Sequence, residues 1–196
     1  NVVCLALLAR AGGVRRLLGD RPYLRGSDVG YGLIWLFVLF VPFAAAINLV
    51  VLLLHGPSGY GAAFETIFVP PPGAELVLGP GVSLALAAVV AVLFPVTNAP
   101  VEELYYRGHA QGRLEDRGAH PAVVVLVPAL LFGLQHVFLA PSSAAMLVYA
   151  VAFASWGATA GVIYRRQRRL MPLIVAHFVT NLMTAAVPLA LLLTVG

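Results

Sequence analysis

Five apolar stretches separated by short polar ones set the pattern of this chain. Residues 29–54 are apolar apart from Asn48 and are long enough to cross a hydrocarbon core of about 30 Å. Pro42 is a kink candidate within them. Residues 82–99 form the second stretch, and Pro95 and Pro100 predict a kink or break at its end. Residues 121–139, with Pro128 inside, form the third, residues 144–164 the fourth and residues 171–195 the fifth. Gly157 and Gly161 stand four apart in the fourth stretch, a spacing that lets helices approach closely. Residues 55–81 are rich in Gly and Pro and read as a loop, with a short interfacial segment around 64–69. Residues 113–120 and 140–143 read as turns. The first apolar run, residues 2–9, is too short to span; it is expected to be the tail of a truncated helix, because no small-residue cleavage pattern follows it.

Composition agrees with that pattern. Of 196 residues, 61% are hydrophobic and 10% charged, whereas a soluble domain carries roughly 25% charged residues. Mean hydropathy is +0.94. The fold class is therefore all-α, a polytopic membrane helical bundle with a polar interior site. No repeat, low-complexity run or composition break divides it, so one domain is expected over residues 1–196, with the chemistry carried by about 80–185. The net charge of +4 comes from arginine alone. All twelve arginines lie in residues 10–25, 107–117 and 165–169, whereas 55–81 and 140–143 hold none. That alternation is a membrane topology, with the arginine-bearing loops cytoplasmic, and it argues against a nucleic-acid partner. Five crossings satisfy it and leave the end of the last stretch outside. The setting is an integral, multi-pass protein in a lipid bilayer, expected in the plasma membrane of a prokaryote. Cys4 is the only cysteine, so neither an internal disulfide nor a cysteine zinc cluster can form.

Charges and imidazoles within apolar stretches are costly and usually functional or internally paired. Glu103 and Arg107 stand four apart and share a helical face, which reads as a structural ion pair. Glu102 is rotated by about 100° from Glu103 and faces elsewhere. His136 and His177 both lie inside apolar runs, and Asn181 follows His177 on the same face. Each histidine alone reads as a satisfied core residue; three polar clusters on three segments fit a shared site better. Phe132 is expected to pack beside His136. His109 and His120 flank a polar turn, and Tyr105 and Tyr106 suit an interfacial belt.

A free carboxylate beside an imidazole can activate water, and an imidazole N–H with an Asn amide can stabilise an oxyanion. Other intramembrane hydrolases leave marks that are absent here: a His-Glu-x-x-His zinc motif, a pair of membrane aspartates, a Gly-x-Ser-x-Gly elbow. The ordered motifs Glu102-Glu103-x-x-x-Arg107, Phe132-x-x-x-His136 and His177-x-x-x-Asn181 resemble the CAAX prenyl protease and bacteriocin-processing family of intramembrane endopeptidases. The resemblance covers about residues 80–185. It implies an all-helical membrane fold with a polar cavity open to the cytoplasm. It also implies Glu102 as the water-activating base with His136 as its partner, His177 and Asn181 as the oxyanion pair, and Glu103–Arg107 as the structural pair. Glu102, His136 and His177 are chemically able to ligate zinc, but no two have a helical chelating spacing, so a metal-free site is favoured. The substrate class is a peptide or membrane protein, prenylated in the eukaryotic type.

Two other classes remain at this stage. A membrane scaffold or bacteriocin-immunity-type protein would keep the fold without turnover. A small transporter would use the buried Glu and His as a proton relay, but the inverted repeat that often marks transporters is missing. Depth poses a further condition. On straight helices entering from the cytoplasm, His177 would lie about 9 Å deep and His136 about 25 Å. The expectation is that His136, His177 and Glu102 converge, with residues 121–127 displaced towards the cytoplasm or a kink at Pro128.

Overall fold

The computed structural model describes residues 6, 10, 13–18, 23–68 and 80–195. Regular structure among them is entirely helical. A short α1 (Val14–Leu18) precedes α2 (Gly26–Ile67) and α3 (Pro80–Glu103). A π-helical segment (Leu104–Gln111) continues α3 into the short α4 (Gly112–Asp116). Then come α5 (Pro121–His136), a 3-10 turn (Val137–Leu139), α6 (Ser143–Gln167) and α7 (Met171–Val195). Four spans, Gly26–Glu65, Leu84–Asp116, Pro121–Leu139 and Ser143–Gln167, are long and apolar enough to cross a membrane, and α7 is apolar over Met171–Val187. Large apolar side chains stand outward, among them Phe37 (72% exposed) and Leu53 (74%). A soluble protein could not carry so much exposed apolar surface, whereas hydrocarbon covers it without cost. The chain is an all-α, multi-pass membrane protein.

The glycine-rich stretch after residue 54 is not the loop its composition suggests. Helix continues to Ile67, interrupted only at Gly56 (φ 67, ψ 174). Glycine takes that left-handed φ without a Cβ clash, and Pro57 restarts the helix where its missing N–H costs nothing. The bend there is sharp. Tyr60 donates its hydroxyl hydrogen to Asn48 Oδ1, although twelve residues of straight helix would separate them by about 18 Å. The returning half buries Ala63 and Ile67 against Val50, Val51, Ala145 and Val148. Part of the expected interfacial segment, Val69, and residues 70–79 lie outside the described residues, as do Cys4 and Arg21. Pro42, Pro95, Pro100 and Pro128 all sit inside continuous helix, so no break occurs at them. The departure from α geometry in the second stretch comes later, at Leu104.

The helices fall into two compact units. The first comprises Asn1–Leu36, Val77–Ala110 and Gln167–Gly196. In it α3 packs along α7, and the start of α2 approaches α7 so closely that a Cβ on Gly32 would lie 2.6 Å from Val175 Cβ. The second comprises Phe37–Leu76 and Gln111–Arg166. Within it α5 and α6 touch through small residues. A Cβ on Gly157 would meet Ala129 Cα at 2.9 Å, and one on Gly133 would meet the Ala150 carbonyl oxygen at 2.3 Å. Gln111 donates to the Gly161 carbonyl at 2.9 Å, and Arg165 donates to Glu115 at 2.9 Å.

Candidate active site

In the first unit the polar cluster is built on the α3–α7 contact. Glu102 and Glu103 end α3, and Arg107 follows one turn on, inside the π-helical segment. π-helical turns are rare and concentrate at functional sites. His177 and Asn181 lie on α7, four residues apart. Arg107 Nη1 donates to Glu103 Oε1 at 3.0 Å, with the two side chains 2% and 1% exposed. His177 Nδ1 lies 2.9 Å from the same oxygen. A carboxylate oxygen already accepting from a guanidinium accepts here too, so Nδ1 carries hydrogen and donates. The other ring nitrogen, Nε2, stands 3.4 Å from Glu102 Oε2.

Helical rotation puts Glu102 on a different face from Glu103. Both nevertheless reach one imidazole, on its two opposite nitrogens. The rotation between adjacent residues is what permits this: it parts the two carboxylates by the width of a ring, and α7 inserts His177 between them. Two carboxylates thus face one guanidinium and one imidazole. Asn181 is buried, and its Nδ2 has no partner among the described residues. Buried amide donors are rarely left so. Asn98, four residues before Glu102, is buried as well. Read alone in the sequence it has no spacing partner, although four residues put it on the Glu102 face of α3. Tyr106 is buried and edge-on to Tyr105 at 5.1 Å, inside the protein rather than in an interfacial belt.

Phe132 and His136 belong to the second unit. His136 Nδ1 is 2.7 Å from the Phe132 carbonyl oxygen one turn back. A carbonyl can only accept, so Nδ1 carries the hydrogen and Nε2 of the neutral ring carries the lone pair. The ring lies flat on Phe153, with centroids 3.7 Å apart and planes 11° apart. Phe132 stands at 4.5 Å on another side. Phe153 has no sequence signal, being one apolar residue among many; its place depends on α6 packing across α5.

Buried Glu, Arg and His side chains brought together on apolar helices define the class: a polytopic membrane protein with a polar cluster inside it. A family model described as type II CAAX prenyl endopeptidase, Rce1-like, matches residues 83–183, just over half of the chain and all of the motif residues above. The chain belongs to this family of CAAX-type intramembrane endopeptidases. No curated protein and no solved structure matches it.

Proposed function

We propose that the chain hydrolyses a peptide bond by a water molecule activated on Glu102, without a covalent intermediate. The observation that carries this reading is the grip on His177, held at Nδ1 by Glu103 at 2.9 Å and facing Glu102 at 3.4 Å through Nε2. The second distance is too long for a strong hydrogen bond. A scissile carbonyl entering there accepts a hydrogen bond from Nε2–H, and Glu102 turns to the water. The Glu102 carboxylate accepts the water proton as the water oxygen bonds to the carbonyl carbon. The oxyanion is met by His177 Nε2–H and by the Asn181 amide, whose unpartnered donor fits this role. Glu102 then returns its proton to the leaving amine as the C–N bond breaks. Glu103 and Arg107 hold the arrangement.

A catalytic zinc takes three protein ligands and leaves a fourth position open. Among the described residues no group of three His, Cys, Asp or Glu side chains is disposed to hold a metal. On that donor set we assign water activation to the carboxylate, and activity is expected to survive exhaustive chelation. The arginine alternation supports an opening to the cytoplasmic side. The substrate class is a peptide or membrane-protein segment, and the family description points to prenylated C-termini. Purified protein should cleave members of a membrane-peptide library that Glu102→Ala leaves intact. Equal cleavage by both proteins removes the reading.

A further inference from the structure

Away from the Glu–His cluster, the first unit holds a cavity of about 340 Å³ where α2 and α7 begin. That size lies at the lower end of the usual range for ligand pockets. Its wall includes Arg25, Ser27, Asp28, Tyr31, Trp35 and Arg169. Asp28 and Arg169 form an ion pair that ties α2 to the chain before α7, and Arg169 also donates to the Tyr23 carbonyl at 3.0 Å. Trp35 Nε1 donates to Gln167 Oε1 at 2.9 Å, which fixes the indole at the rim. These contacts explain the walls as a structural clasp. They do not explain Arg25. Its guanidinium lies over the Tyr23 ring, 5.1 Å from the centroid, and donates to the Tyr23 hydroxyl at 2.9 Å. The two guanidiniums and one carboxylate of the lining leave one net positive charge.

Two features name the occupant. Beside the cavity, on the same side of α2, Tyr31 and Ile34 stand outward, 56% and 54% exposed. That apolar face belongs in hydrocarbon, and acyl chains can follow it from the cavity mouth. Tyr31 and Trp35 are the aromatic types that settle at the headgroup level. The cavity also stands at the arginine-bearing end of both helices, the end that the arginine alternation assigns to the anionic leaflet. We propose that this cavity binds the phosphate headgroup of an anionic phospholipid, with Arg25 and Ser27 contacting the phosphate. Free phosphate shares the chemistry but would leave the apolar face without a role.

The test uses the full chain in neutral detergent, titrated with short-chain phosphatidylglycerol, short-chain phosphatidylcholine or inorganic phosphate. The midpoint of thermal unfolding should rise saturably by about 2–4 °C with phosphatidylglycerol alone. Arg25→Gln keeps the Asp28–Arg169 pair and should lose most of the shift. Ser27→Glu, which puts a like charge where the phosphate sits, should lose it too. Arg166→Gln removes the same charge from an exposed position outside the lining and should keep it. Absence of a shift overturns the proposal, as does an equal shift with phosphatidylcholine or retention of the shift in both cavity variants. An equal shift with inorganic phosphate overturns the lipid assignment.

Discussion

Glu102 and Glu103 are neighbours in sequence with different obligations. Glu103 shares one oxygen between Arg107 and His177, and all three side chains are buried. Glu103→Gln removes the carboxylate from a buried ion pair with Arg107, and breaking a buried pair costs about 3–5 kcal/mol. Glu102→Gln keeps the side chain's shape and removes the charge that faces His177 at 3.4 Å. The expected outcome is a folded but inactive Glu102→Gln protein and a Glu103→Gln protein that unfolds at clearly lower temperature. Thermal unfolding in detergent beside a cleavage assay separates them, and equal losses of stability contradict the division. Asn181→Ala should lower kcat by about 100-fold or more, the usual scale for an oxyanion donor, with the unfolding midpoint little changed because Nδ2 has no partner among the described residues. A loss of stability without loss of kcat would make Asn181 structural. At this scale the Glu103–Arg107 pair was legible because four residues make one helical turn. The meeting of both glutamates on His177 was not, because it joins residues 74 positions apart. No local spacing encodes that contact; α3 packing along α7 does.

The element scale shows why composition misleads where periodicity would have served. Residues 55–67 carry Gly56, Pro57, Gly59 and Gly61, and such density signals a loop. Only Gly56 uses a glycine's freedom. Tyr60, Ala63, Phe64 and Ile67 already had helical spacing, and it is this face that packs. The Gly157–Gly161 spacing did announce close packing, but it left out Gly133, whose partner lies on α6. A methyl group at Gly133 collides with backbone, which cannot swing aside. Gly133→Ala should therefore destabilise by about 1–3 kcal/mol, as overpacking does. Gly61 has nothing within 4 Å of a built Cβ. Gly61→Ala should be neutral or stabilising by up to about 1 kcal/mol through helix propensity. Unfolding midpoints of the two variants check this, and a tolerated Gly133→Ala would mean that α5 and α6 pack less tightly than they do here.

For the whole molecule, the membrane class was legible from charge content and run length, since hydrocarbon admits few other sequences. Topology rests on a weaker, additive signal, the placement of arginines, and the fold of α2 bears on it. Residues 26–55 rise about 45 Å along a helix, enough to cross. Residues 57–67 rise only about 16 Å, too little to cross again, and they turn back at Gly56. The stretch after Gly56 therefore ends on the side where α2 emerged, and the bend leaves the parity of crossings unchanged. On the arginine alternation, α3 is expected to return towards Arg107, Arg113 and Arg117, α5 to leave, α6 to return to the cluster at Arg165–Arg169, and α7 to leave. Reversing this order would put all the arginine-bearing segments outside, against the bias that sets orientation. Single cysteines placed at Arg113, Arg166, Gly59 and Ser142 in a Cys4→Ser background test it with an impermeant thiol reagent. Positions 59 and 142 should label in intact cells, and positions 113 and 166 only after the membrane is opened. Labelling of position 113 from outside would reverse the topology, and with it the side from which a substrate reaches Glu102.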